Sequence, residues 1–313
     1  MHTTAAPGAQ ALPRTEVRRA EERAWPRISL VTPVFNAAKY LEQTIRCVLM
    51  QDYPNLDYFI VDGGSTDGTV EIIRKYEEQI SGWLSEPDGG MYEAINKGFA
   101  LTTGEIMGWI SATDMPHIGG LRVVGSVFRE FAEVEWITGR PTHFNEEGLT
   151  INVDGVPRWT RMRFLAGFNR YIQQESTFWR RSLWEKAGGY VDASGRCGAA
   201  GDFELWVRFF RHARLYPVDA LIGGYRYHGD SLTSRGLETS HVIFDRIVSE
   251  ELERIPQGPR LRAFRAVNAG IKKIPVVRYA WWRLVEQPLY TWRRQDCAPV
   301  IRYDTQSGWR MGK

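Results

Sequence analysis

Three apolar runs rich in β-branched residues lie between residues 27 and 116, and each ends on polar or acidic residues. They read RISLVTPVFN from Arg27, FIVDGGSTDGT from Phe59 and GEIMGWISATDMP from Gly104. Runs this continuous have no polar face to offer water, so they must be covered on both sides, as parallel strands are. Parallel strands need right-handed crossovers, which bring the strand ends to one edge of an open α/β sheet. In such sheets, ligands bind beyond the carboxyl ends of the strands. The chemistry should therefore sit in the polar segments that end the runs.

The intervening segments carry helical spacing. Residues 39–50 place Leu41, Ile45, Val48 and Leu49 on one face, after a first strand over 28–34 in which Pro33 marks the end. The second strand spans 56–61. Ser65, Thr66 and Asp67 offer capping side chains to a helix through Val70, Ile73 and Tyr76, and Gly63 and Gly64 free the turn. A short strand over 80–84 precedes a helix over 92–101 opened by Gly89 and Gly90, and the fourth strand is 106–110. A helix over 121–131 and a strand over 134–139 follow, then a hairpin or loop over 141–160. Next come a strand over 172–179, a helix over 181–187 and a glycine-rich loop through Gly201. Residues 203–211 are amphipathic, with Leu205, Trp206, Phe209 and Phe210 inward, and a last strand over 221–227 runs into His228.

With 313 residues, 43% apolar and 25% charged, the chain can bury a substantial core. Forty basic against 37 acidic residues leave a net charge of +3, too mild to argue for nucleic acid. Cys47, Cys197 and Cys297 have no metal-ligand spacing and read as thiols in a reducing compartment. Residues 1–26 hold several charges but no apolar core of a signal peptide and read as a flexible leader. No window reaches the ~18 consecutive apolar residues of a membrane span, so a cytoplasmic body is expected. Beyond residue 236 a helical extension is expected, over 237–313. Between Arg260 and Arg294 nine Lys or Arg face a single acid, Glu286, interleaved with Trp281, Trp282, Tyr290 and Trp292. Such a segment suits an anionic membrane surface at the inner face of the cell membrane. Packing of the same aromatics on the domain or on another subunit is the alternative.

Five motifs follow one another in a telling order: TPVFN, VDGGSTDGT, SEPDGGMYEAINKG, SATDMP and GAAGDFELWVR, with YRYHGDSLT closing the series. Their wording and spacing, over residues 27–235, resemble the family 2 glycosyltransferases, which move a sugar from a nucleoside diphosphate to an acceptor. The resemblance implies a GT-A fold, one mixed and mostly parallel sheet flanked by helices, with a nucleotide-binding first half and an acceptor-binding second half over 27–236. It implies that Thr32, Pro33, Phe35 and Asp62 contact the nucleotide, and that Asp88, Lys97 and Thr113 serve the nucleotide sugar. It implies that Asp114, with His228, holds Mg²⁺ or Mn²⁺ on the diphosphate. Asp202 is implied as the base that deprotonates the acceptor hydroxyl, with inversion at the anomeric carbon. Gln174 and Glu175 are expected on the acceptor side, facing a glycan or lipid-linked acceptor of a surface polysaccharide or glycolipid.

Two positions depart from the family pattern. Thr113 and Ala112 stand where an earlier aspartate of the Asp-containing metal motif is usual, and Gly201 stands where a glutamate usually precedes the base. These departures keep a non-catalytic nucleotide-sugar-binding protein in view, and the basic aromatic tail keeps a polyprenyl-phosphate sugar transferase in view. A nicotinamide oxidoreductase lacks support, since no G-x-G-x-x-G follows the first strand.

Overall fold

Ile28–Val34 forms β1, buried along its whole length as a continuous apolar run requires. The computed structural model describes residues 25–167, 171–229, 232–256, 258–271 and 297–312. After β1 come α1 (Ala38–Leu49), β2 (Leu56–Asp62), α2 (Thr69–Lys75), β3 (Gly82–Ser85), α3 (Met91–Leu101), β4 (Ile106–Trp109) and β5 (Met115–Pro116). Then follow α4 (Gly120–Glu130), β6 (Trp136–Thr138), β7 (Thr142–Phe144), β8 (Thr150–Val153), α5 (Arg161–Ala166), β9 (Thr177–Arg180) and α6 (Arg181–Lys186). The remainder is α7 (Gly201–Phe209), β10 (Leu215–Pro217), β11 (Gly223–Arg226), α8 (Leu232–Glu253), α9 (Gly258–Ile271), β12 (Val300–Asp304) and β13 (Gly308–Gly312).

The main sheet has seven strands in the order β10-β6-β9-β4-β1-β2-β3. Only β9 runs antiparallel to its neighbours β4 and β6; β1, β2, β3 and β4 pair in parallel, as do β6 and β10. Alternation along the strands splits the core in two. Leu30, Tyr58, Ile60 and Ile106 pack with Leu41, Ile45, Val124 and Phe128 of α1 and α4. Val31, Val61, Met107 and Trp109 pack with Ile95 and Phe99 of α3, Leu205 and Trp206 of α7 and Val248 of α8. A second sheet, β5-β11-β7-β8, lies beyond the end of β4, and β7–β8 is the hairpin expected over 141–160. It carries segments of the second half of the chain to the end of β4.

Two expectations change. Residues 174–176 form one turn of 3-10 helix, and the strand starts only at Thr177. Gln174 buries its amide against the Trp109 carbonyl and the Ser176 hydroxyl donates to the Gly223 carbonyl at 2.6 Å, so partners outside the strand ladder claim this stretch. The C-terminal part is not wholly helical either. After α8 and α9 the chain returns as the β12–β13 hairpin, where Ile301 bridges Val218 in parallel and accepts from the Asp219 amide at 2.8 Å. The hairpin closes the β10 edge of the main sheet, where unpaired backbone groups would otherwise be exposed. The leader and most of the basic aromatic tail, residues 1–24 and 272–296, lie outside the described residues. Among the described residues no helix is long and apolar enough to cross a membrane.

Helix α8 is fastened by Glu251, 1% exposed, whose carboxylate accepts from Arg211 at 2.6, 3.0 and 3.1 Å and from Arg161. A buried carboxylate with two guanidinium partners is costly to disturb, because loss of its charge leaves both cations short of an acceptor. Both arginines keep some solvent, which discounts the loss. Glu251→Gln is expected to cost about 2 kcal/mol, seen as a fall of roughly 4 °C in the thermal midpoint. A change below about 1 °C would show that α8 is held by its apolar face alone.

Candidate active site

The loops after β1, β2, β3 and β4 meet at one edge of the sheet. Past β1, Asn36 adopts a positive φ of 47°. Its amide donates to the Ser65 hydroxyl at 2.7 Å, and its side chain accepts from the Thr66 amide at 2.9 Å. Asp67 ties the starts of two helices, accepting from the Ala38 amide at 3.0 Å and the Thr69 amide at 3.1 Å, which is the capping role its position indicates. Phe35 is 64% exposed at this exit, an apolar ring left open beside a polar turn. Thr32 and Pro33 are buried within β1; the Thr32 hydroxyl is paired with the Tyr58 phenol at 3.1 Å, and the strand continues past Pro33 to Val34.

Asp62 is fully buried and anchors its own turn. Its carboxylate accepts from the amides of Gly64 and Ser65 at 3.1 and 3.0 Å, from the Ser85 hydroxyl at 2.7 Å and from the Ser65 hydroxyl. The acid read from the sequence as a nucleotide contact is thus largely committed to shaping the loop. Asp88 sits above this turn. Its carboxylate accepts from the Gly90 amide at 2.8 Å and lies 3.0 Å from where a Cβ on Gly63 would stand. Lys97 pairs with Glu86 at 2.8 Å and Glu93 at 2.9 Å, so one carboxylate before the turn and one on α3 hold it.

The segment 111–114 leaves β4 and is gripped from α1, where the Thr44 hydroxyl lies 2.9 and 2.8 Å from the carbonyls of Ala112 and Asp114. Thr113 is partly exposed, whereas Asp114 is buried. Asp114 accepts from the Arg226 amide of β11 at 2.9 Å and is hydrogen-bonded to Glu175. Burial pushes the Asp114 carboxyl up to about 6, against the pull of the Arg226 amide and charge. Glu175 is raised well above the usual carboxylate range by burial and by the Asp114 charge, so a proton is held between the two acids. A Cβ on Gly223 would stand 2.2 Å from the Glu175 carbonyl oxygen, and glycine there is what lets the 3-10 turn press against β11. Glu175 therefore belongs with Asp114, and Gln174 is turned inward beneath it.

Asp202 lies in the first turn of α7. That helix is fixed by Trp206, which stacks on Trp109 at 6.0 Å, and by the buried Glu204–Arg208 pair at 2.9 and 3.0 Å. Glu204 is spoken for by that pair and supplies no second base. Burial pushes the Asp202 carboxyl up to about 6 although the Phe203 amide donates to it at 2.7 Å. A helix start favours an ionised carboxylate, yet here desolvation outweighs the amides. The Asp202 charge also reaches Glu175 and raises it further. Asp114, Glu175 and Asp202 are thus near neighbours; Asp114 is buried, while Glu175 and Asp202 keep part of their surface open to solvent.

The His228 ring lies 5.1 Å from that of Tyr40 and close enough to Glu146 for their charges to interact. Among the described residues no three of His, Cys, Asp and Glu come close enough together to hold a metal ion. The three cysteines are free thiols.

Sequence reasoning missed the contribution of α3. Tyr92 and Asn96, four residues apart on one helix face, both reach the loop before Asp202. Asn96 exchanges hydrogen bonds with Val191, both at 2.8 Å; the Tyr92 phenol donates to the Ala199 carbonyl and accepts from the Gly201 amide, both at 2.9 Å. A Cβ on Gly201 would lie 2.7 Å from the Tyr92 ring, so a glutamate has no room at this position. That accounts for one of the two departures from the family pattern.

Comparison with known proteins bears on the family and the fold. A profile described as "Glycosyl transferase family 2" matches residues 29–176. An uncharacterized glycosyltransferase of Mycobacterium tuberculosis is 30% identical over 192 residues, 58% of this chain and 68% of the relative. A PGL/p-HBAD biosynthesis glycosyltransferase of Mycobacterium bovis is 26% identical over 285 residues, 86% of this chain and 98% of the relative. Among solved structures, S. aureus TarS 1–349 in complex with UDP-GlcNAc superposes with a TM-score of 0.61 at 16% identity, over 83% of this chain and 76% of that one. The match spans only 43% of the longer TarS chain. Mannosyltransferase PcManGT from Pyrobaculum calidifontis, in complex with GDP-Man and Mn²⁺, gives 0.50 at 17% identity over 90% and 89%. These likenesses in structure carry the fold, mixed α/β with a large and mostly parallel sheet of GT-A type. From motif order, sheet topology and sequence kinship together, this chain belongs to the family 2 glycosyltransferases.

Proposed function

We propose that the chain is an inverting, divalent-cation-dependent transferase that moves a sugar from a nucleoside diphosphate to a hydroxyl of a cell-envelope glycan or glycolipid. The observation that carries the reading is the proximity of Asp114 and Asp202 to Glu175, close enough for each to act on it. The base and ribose would lie against Phe35 and the Asp62 turn, and the sugar beneath Asp88. Support for an envelope acceptor comes from the Mycobacterium bovis relative, named for PGL/p-HBAD biosynthesis. Support for a nucleotide-sugar donor comes from the solved complexes with UDP-GlcNAc and GDP-Man.

The acid pair fits a hard dication. Two carboxylates pressed together and sharing a proton are what such an ion relieves by taking the proton's place. Mg²⁺ is commonly held by one or two carboxylates, with substrate phosphates completing the shell, so Asp114 and Glu175 would suffice without His228. A bound cation would supply Lewis-acid stabilisation of the departing diphosphate. Asp202 does the remaining work. Its carboxylate, more basic than an ordinary aspartate, takes the acceptor hydroxyl's proton as the oxygen attacks the anomeric carbon. The new carbon–oxygen bond forms as the bond to the diphosphate breaks, and the diphosphate leaves with that electron pair.

Calorimetric titration of UDP and GDP, with Mn²⁺ or with chelator, tests the cleft. At least one diphosphate is expected to bind ten-fold or more tightly with the cation, about 1.4 kcal/mol. Equal affinity with and without chelator would remove the metal from the reading, and no binding of either would remove the donor site.

A further inference from the structure

We propose that Tyr92 is a positioning residue that couples occupation of the donor turn to the placement of Asp202. The inference rests on Asp202 being the base. Helix α7 begins at Gly201 behind Ala200, which has no side chain able to cap it. The first amides of a helix lack intrahelical acceptors, and an aspartate, asparagine, serine or threonine usually supplies one. Here the acceptor comes from another part of the chain. The Tyr92 phenol oxygen accepts from the Gly201 amide at 2.9 Å and from the Asp202 amide, while its proton goes to the Ala199 carbonyl at 2.9 Å. One hydroxyl thus binds the backbone of the base and of Ala199 and Gly201 ahead of it.

Tyr92 is also the second residue of α3, which starts directly after the Asp88–Gly90 turn. The turn is bound to α3 by the Glu93 carboxylate, which accepts from the Gly89 amide at 2.9 Å, and by Lys97, which bridges Glu86 and Glu93. The ring itself is 8% exposed and lies flush against Gly201, leaving no slack between the two helices. Any ligand that orders the turn must order the start of α3, and with it the Asp202 backbone. Binding at one site then lowers the cost of ordering the other.

Hydrogen exchange of the full chain, with and without UDP and in parallel GDP, reads this coupling. In the wild type the diphosphate is expected to slow exchange both at 86–90 and at 199–204. In Tyr92→Phe the protection at 86–90 should stay within about twofold, while the added protection at 199–204 should fall by roughly tenfold, the worth of about one hydrogen bond. A role confined to stability would speed exchange at 199–204 equally with and without ligand. Full diphosphate-dependent protection of 199–204 in Tyr92→Phe would overturn the proposal. Should that variant not fold, Gly201→Ala, whose methyl group would press on the ring, is expected to lose the same protection. Protection nowhere in the wild type would instead overturn the donor site on which the inference stands. Retention of turnover by Asp202→Asn would overturn the assignment of the base.

Discussion

Asp202→Asn is expected to lower sugar transfer by 10²–10⁴-fold while diphosphate affinity changes less than about twofold. The amide keeps the shape of the side chain and its place in α7 but cannot take a proton. The donor contacts proposed for the loops after β1, β2 and β3 include Asp88, whose carboxylate is held by the Gly90 amide, whereas the Asp202 carboxylate is held by the Phe203 amide. The pH dependence should carry the same signature. With its carboxyl pushed up to about 6, Asp202 is protonated below that value, and the wild-type rate should fall on the acid side with a midpoint there. A group with a raised carboxyl pKa also destabilises the fold where it is ionised. Its folded form binds the proton more tightly than the unfolded chain does, so this contribution to stability declines as pH rises from about 4 to about 6 and stays low above. Two pH units correspond to roughly 3 kcal/mol, which partial exposure cuts to about 1–2 kcal/mol. The variant, measured free of divalent metal at pH 7.5, should therefore melt about 2–4 °C higher than the wild type, and the difference should vanish near pH 4. A rate within threefold of wild type would sink the assignment of Asp202. A lower melting temperature would show instead that the carboxylate is stabilised by its surroundings.

Asp114→Asn should act at the other end of the reaction. The Asn side chain can still accept from the Arg226 amide, so the β5–β11 junction is expected to survive. What is lost is the charge that, with Glu175, would hold a cation on the diphosphate. Turnover is expected to fall about 10²–10³-fold, the usual effect of removing one group that stabilises developing charge. Mn²⁺ should no longer enhance UDP or GDP binding, and affinity in chelator should equal that of the wild type. An unchanged Mn²⁺ enhancement would mean that the cation is held elsewhere. The two variants separate cleanly, since one keeps cation-dependent binding and loses chemistry while the other loses both.

The sheet that carries these residues was legible because burial on both faces leaves a run with no polar alternation. Residues 28–34 are a strand in the chain and in the structure alike, since nothing but a covered parallel strand satisfies such a run. Helices read from apolar spacing fall within a residue or two of those formed, as α1 and α3 do. The 172–179 segment failed because Gln174 and Ser176 are claimed by Trp109 and Gly223, partners that local pattern does not reveal. The closing hairpin failed because its cue is an open sheet edge, a property of the assembled sheet and not of residues 300–312.

Local order along the chain decided which segments become strands and helices, and it brought Asp88, Asp114 and Asp202 to turns or helix starts at the mouth of the sheet. That much follows from solvent exclusion and backbone geometry, which act over a few residues. Folding in three dimensions decided the company those acids keep. Asp114 meets Glu175 across 61 positions, and the Tyr92 phenol meets the Gly201 amide across 109. Acid strength depends on desolvation and on charges a few ångströms away, and neither exists until distant segments are packed together.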